Sequence, residues 1–159
     1  MRRSVTALLL LLLAGSSAIG AGLCTSPDTN FFSCRTAAKK WIGVCGSTSG
    51  AVQYRFGRPG HIELVYPAQP ADAVESLYLT HYARFQVDRS ELTFTRQDVG
   101  YTVFAYRENG KQMAGVRVLL APGKEREIAC TGPISSQLVK LRGVLRCDPD
   151  NALSLGECR

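Results

Sequence analysis

The chain has 159 residues, 45% hydrophobic, 20% charged and 8% aromatic, with six Cys and a formal net charge of +6. That length holds one domain with a real core, which excludes two full domains, a long repeat array and a disordered polyelectrolyte. Without Arg2 and Arg3 the balance is 17 basic against 13 acidic residues, scattered along the chain, and the one later basic pair, Lys39-Lys40, is too little for a nucleic-acid footprint.

Arg2 and Arg3, the leucine-rich run at 7–14 and the small residues at 16–21 read as a cleaved secretory signal over residues 1–21. The apolar run is too short for a membrane-spanning helix, and no later stretch approaches that length. Residues 22–159 are therefore expected as a single exported domain, periplasmic or secreted. Lipid attachment at Cys24 would need a small residue immediately before it, and Leu23 stands there, which argues against a lipoprotein.

Two apolar stretches around residues 36–40 predict paired strands or a strand and a turn. Ala51-Val-Gln-Tyr-Arg-Phe56 and His61-Ile-Glu-Leu-Val-Tyr66 flank Gly57-Arg-Pro-Gly60, a hairpin signature. Residues 71–79 have weak helical character. Residues 79–87 alternate, with Leu79, His81, Ala83, Phe85 and Val87 on one face, and predict a strand that continues over 91–96. Asn109-Gly110 between β-rich runs at 101–106 and 113–120 is the strongest hairpin signal, because both residues tolerate positive φ. A further strand is expected over 127–131, and a short C-terminal helix over 135–142, where Leu138 and Leu141 stand at helical spacing after a serine cap. The fold class is mainly β: an antiparallel meander forming a small sandwich or barrel, stapled by disulfides.

Cys24, Cys34, Cys45, Cys130, Cys147 and Cys158 form an even set, three near each end with 84 residues between Cys45 and Cys130. In an exported protein they read as three disulfides, for which sequence permits 15 pairings. The reading favoured here is Cys34–Cys45, Cys130–Cys147 and Cys24–Cys158. Without a Cys-x-x-Cys pair or a neighbouring His, neither a zinc site nor a thiol redox enzyme is expected.

No constellation for catalysis assembles. Gly46-Ser-Thr-Ser-Gly50 places Thr48 where a nucleophile elbow needs serine, and no paired carboxylates can be singled out among the dispersed acids. His61 reads as a surface residue and His81 as a partly buried one satisfied by a neighbour. Aligned to a calcium loop, Asp148-Pro-Asp-Asn151 fails at Ala152, Leu153 and Arg159 and reads instead as an Asx-type turn. No metal and no cofactor are expected.

Aromatic residues and arginines interleave on what read as the polar strand faces. Tyr54, Arg55, Arg58, His61, Tyr82, Arg84, Tyr106 and Arg107 are the candidate binding residues, because Tyr and Arg give contact area and planar hydrogen bonding. Tyr54-Arg-Phe-Gly57 with Ile62-Glu-Leu-Val-Tyr-Pro67, the aromatic meander and Cys147-Asp-Pro-Asp-Asn-Ala-Leu153 resemble a group of small exported bacterial proteins of uncharacterised function, over most of the mature chain. The size, signal and disulfide-bonded β architecture are similar in a general way to periplasmic lysozyme inhibitors and exported immunity proteins. Ser49-Gly-Ala-Val-Gln-Tyr54 is one residue longer than their Ser-Gly-x-x-Tyr inhibitory loop.

The leading expectation is a non-catalytic binding protein of the cell envelope, an inhibitor or immunity factor acting on a secreted enzyme. Cationic lysozymes fit poorly as its target, because a basic partner is not steered toward them. The alternatives are a small barrel binding an anionic envelope polymer or a small ligand, and a hydrolase whose site is not recognisable. Nucleic acid is not expected as a partner.

Overall fold

A computed structural model describes residues 22–155 and residue 158; the signal-peptide reading of residues 1–21 lies outside them. The strands are β1 (Thr29–Arg35), β2 (Trp41–Gly46), β3 (Val52–Arg58), β4 (His61–Tyr66), β5 (Tyr78–Arg84), β6 (Val87–Arg96), β7 (Val99–Glu108), β8 (Lys111–Ala121), β9 (Lys124–Ala129) and β10 (Ser135–Ser136). They form two five-stranded sheets, β10-β1-β2-β3-β4 and β5-β6-β7-β8-β9, in which every neighbouring pair is antiparallel.

The two sheets share one core, as in a sandwich. Phe32, Ile42, Val44 and Tyr54 of the first sheet and Leu92, Phe94, Val103 and Val116 of the second belong to the same buried cluster. Rings cross between the layers: Tyr54 sits 5.1 Å from Phe94, and Phe94 is stacked between Tyr66 at 4.6 Å and Tyr101 at 4.8 Å. Tyr54 is therefore a core residue and not part of a polar face, a correction to the sequence-based expectation. Strand β3 alternates with Val52, Tyr54 and Phe56 facing inward and Arg55 outward, so its polar face carries no tyrosine.

The turns explain where the strands end. Glu108 pairs with Lys111 around Asn109 (φ 48°) and Gly110 (φ 77°), so both central residues take the left-handed conformation that a tight two-residue hairpin needs. The β3–β4 hairpin carries a bulge at Gly57, where a Cβ would stand 2.5 Å from the carbonyl oxygen of His61. The strand expected over 79–87 is broken: Arg84 pairs with Val87, and Phe85-Gln86 is a two-residue turn in which Gln86 has φ 60°. Neither residue carries a turn signature, so the alternation runs on past the true end of the strand.

Of the helical segments, the first falls where weak helical character is expected and the second differs from expectation. One turn of 3-10 helix at Pro70–Asp72 runs into α1 (Ala73–Ser76), which buries Ala73. After Gly132-Pro133, Ser135 and Ser136 pair with Ser33 and Phe32 as β10 rather than capping a helix. The chain then makes a 3-10 turn at Leu138–Leu141, whose two leucines, nearly eclipsed at three residues per turn, both enter the core.

All six cysteines are paired, as Cys24–Cys45, Cys34–Cys130 and Cys147–Cys158. Each favoured pairing is thus corrected, and register is the reason. Cys34 lies opposite Ile42 and Cys45 opposite Asn30, three to four residues apart along adjacent strands. That offset is roughly 10 Å, beyond the Cα separation a disulfide can close. Cys130 instead leaves β9 to bridge with Thr36, beside Cys34.

Candidate binding surface

Side chains alternate across a sheet, so the residues opposite the buried Leu92, Val103 and Val116 face away from the core. On that outer face Tyr82, Arg89, Tyr106 and Met113 are register partners across β5, β6, β7 and β8 and form one cross-strand row. The Arg89 guanidinium lies 5.2 Å from the Tyr106 ring centroid while its Nε contacts Glu108 Oε1 at 2.6 Å. Beyond the row stand the two hairpin tips, tied together where the Asn109 N–H donates to the Gln86 carbonyl at 2.9 Å. Phe85 is 87% exposed on one tip, and Met113 is 48% exposed. Arg84 and Lys111 on this face, and Arg107 on the opposite face close to the tips, are exposed and make no ion pair among the described residues.

One step along the same face lies a polar cluster that is bonded to the row through Tyr106. Glu91 is buried and accepts hydrogen bonds from the Tyr106 hydroxyl, from Arg117, and from Asn151 Nδ2 at 2.7 Å. Arg117 also donates to the Tyr106 oxygen at 2.8 Å and lies over the rings of Phe104 and Tyr106, 5.1 and 5.9 Å from their centroids. Burial opposes the Arg117 cation, but the Glu91 charge and the Tyr106 oxygen outweigh it and hold the guanidinium more firmly protonated. Burial, reinforced by the bond to Glu91, pushes the Tyr106 phenol up to about 12.

Asn151 comes from the segment closed by Cys147–Cys158, which lies across β5 and β6. Asp148 Oδ1 accepts from the Asp150 N–H at 3.0 Å, the expected Asx turn, and Asn151 Oδ1 caps the next turn through the Leu153 N–H at 2.8 Å. Ser154 Oγ lies 3.5 Å from Thr80 Oγ1. Between this segment and β5 runs a cleft of 780 Å³ lined in part by His81 and Tyr82. His81 Nε2 sits 3.6 Å from Asp88 Oδ1 and makes no hydrogen bond.

Of the candidate binding residues, Tyr82, Arg84 and Tyr106 gather on the outer face at the hairpin end of the second sheet, whereas Arg107, out of phase with Tyr106 and paired with Asp88 and Gln112, is exposed on the opposite face near the same end, a correction to the expectation of one polar face. The others lie apart on the first. Arg55 fastens the N-terminal segment through the Leu23 carbonyl at 3.1 Å and Asp28 at 2.8 Å, Arg58 reaches the Ala38 carbonyl at 3.4 Å, and His61 is exposed at the start of β4. Phe85, Arg89, Glu91, Arg117 and Asn151 escape a reading by residue type. The one available signal is Arg117 itself, a charge inside the apolar run Gly115-Val-Arg-Val-Leu119.

The buried phenols set an alkaline limit on stability. Tyr106 and, more strongly, Tyr54 keep their protons in the fold at pH values where the unfolded chain releases them near pH 10. Their contribution is complete below pH 10 and is lost as pH rises toward the folded values. In an absorbance titration of the six tyrosines, these two are expected to ionise last. Tyr106→Phe is expected to reduce the fall in urea midpoint between pH 9.5 and 11.5; an unchanged fall would remove Tyr106 from the explanation. No protein-family model, no curated protein and no solved structure matches the chain.

Proposed function

We propose that the chain is an exported binding protein that meets an acidic protein partner through the hairpin end of its second sheet, in the manner of an inhibitor or immunity factor acting on a secreted enzyme. The observation that carries this reading is Phe85. A large apolar side chain left 87% exposed at a two-residue turn contributes nothing to the fold, yet its burial at an interface is worth roughly 1.5 to 3 kcal/mol. Its neighbours Tyr82, Arg84, Arg89, Tyr106 and Met113 are the residue types enriched at interface cores. The unpaired Arg84, Arg107 and Lys111 favour an acidic surface and speed its approach. The three disulfides and the absence, among the described residues, of a helix long and apolar enough to cross a membrane agree with an exported protein.

The test is affinity capture from an exported fraction with the disulfide-bonded protein as bait, at low and moderate salt. One protein is expected in near-equal amount, retained through moderate salt and inhibited if it is an enzyme. Phe85→Ala is expected to weaken that complex about thirtyfold or more, the size of a hot-spot residue, and Arg84→Glu is expected to slow association. Recovery of anionic polymer alone, lost as salt rises, would move the function to envelope binding. A complex indifferent to both substitutions would move the interface elsewhere.

A further inference from the structure

The sandwich is open along one side. There, residues of β3 and β4 in one sheet and of β7, β8 and β9 in the other enclose a hollow of 240 Å³, in which β4 and β9 are the free edges of their sheets. Its walls are almost wholly apolar: Phe56, Leu64, Val118, Leu120 and Ile128, with the ring of Tyr101. Several of these are core-facing side chains left only half buried, so the core itself forms the floor. Leu120 is 54% exposed at the rim, and Ile62, which shares a face of β4 with Leu64, is 43% exposed.

One cation belongs to this hollow. Arg126 pairs with Val118 in register and lies on the same face of β9 as Ile128, so its side chain leans over the apolar walls. It makes no ion pair among the described residues, whereas Lys40, over the Phe56 ring at 5.3 Å, is neutralised by Glu63 at 2.6 Å. Of the two edge strands, β9 is a poor template for an added strand. Strand β9 presents Lys124, Glu125, Arg126 and Glu127 in succession, and charges of this kind are what blunt a sheet edge.

We propose that this hollow takes a single alkyl chain bearing a carboxylate, a free fatty acid from solution, with the chain among Phe56, Leu64, Val118 and Ile128 and the carboxylate at Arg126. The volume of 240 Å³ holds about eight groups the size of a water molecule, enough for the inner part of one acyl chain and too little for a two-chain lipid. Filling it would also remove from water the half-exposed Leu120 at its rim.

Isothermal titration of the disulfide-bonded protein with octanoate and dodecanoate, below their micelle concentrations, tests the assignment, with amide chemical-shift mapping to locate the site. Saturable one-to-one binding is expected, tighter for the longer chain, with shifts centred on Leu64, Val118 and Ile128. Arg126→Gln, an exposed substitution that spares the core, is expected to weaken dodecanoate by up to about fivefold, the ceiling for an exposed ion pair. Leu64→Trp is expected to abolish binding by filling the hollow. Dodecyltrimethylammonium binding as tightly as dodecanoate, or an Arg126→Gln variant with unchanged affinity, would overturn the carboxylate assignment. Absence of saturable binding, shifts centred elsewhere, or selective binding of an extended acidic peptide or of intact anionic vesicles would overturn the site as a fatty-acid pocket.

Discussion

Replacing Cys34 and Cys130 together by alanine is expected to lower the free energy of unfolding by about 4 to 5 kcal/mol, against about 3 kcal/mol for the Cys147–Cys158 pair. The difference arises from loop length: the first bridge spans a sequence separation of 96 and the second one of 11. An open chain of the first length has far more conformations to lose. Cys34 lies in β1 and Cys130 just beyond β9, so this bond also joins the two sheets, adding a cross-link to the backbone connections from β4 to β5 and from β9 to β10. For a domain stable by roughly 5 to 15 kcal/mol, the loss would consume a large part of the total. Urea denaturation with linear extrapolation of both double variants is the measurement. Equal losses would show that loop entropy does not set the ranking.

Backbone requirements and register divide the parts of this fold that are legible in the sequence from those that are not. The Asn109-Gly110 and Gly57-Arg-Pro-Gly60 hairpins are legible because their residues carry the backbone requirement of the turn themselves. Phe85-Gln86 is not, because there the pairing of β5 with β6 imposes a positive φ on a residue with no preference for it. The disulfide pairing is illegible for a related reason: it depends on Cys34 opposing Ile42, which the spacing of cysteines does not encode.

The same division holds at the candidate site. Residue type alone selects Tyr82, Arg84, Tyr106 and Arg107, and type suffices for side chains that end on a surface. Tyr54, selected on the same ground, belongs to the core because the phase of β3 turns it inward. Glu91 looks like an ordinary polar-face residue; only the C-terminal segment crossing above it makes it buried, and that crossing rests on contacts 60 residues away. The feature that carries the proposed function, the exposure of Phe85, is hidden by a pattern that makes the residue look like core.

Glu91→Ala is expected to cost about 3 kcal/mol, the lower end of the range for breaking a buried ion pair, because it leaves the Arg117 cation without its counter-charge in a side chain only 28% exposed. The partial exposure lets water reach part of the guanidinium and holds the cost to that end. Glu91→Gln, which keeps an acceptor for Tyr106 and Asn151, is expected to fall between Glu91→Ala and the wild type. A double replacement, Glu91→Leu with Arg117→Met, is expected to cost less than Glu91→Ala alone, since no charge is then stranded. The loss should also appear locally: without its bond to Glu91, Asn151 no longer anchors the segment ahead of Cys158, and amide exchange at Leu153 and Ser154 is expected to rise more than at the core strands. A change within about 0.5 kcal/mol, the range of an ordinary surface substitution, would mean that the cluster is solvated and that the segment after Cys147 is held by its disulfide instead. Because Tyr106 belongs both to this cluster and to the row beneath Phe85, the cluster also positions the face proposed for binding. The Glu91→Ala variant should therefore bind the partner more weakly while every side chain of the hairpin tips is still present.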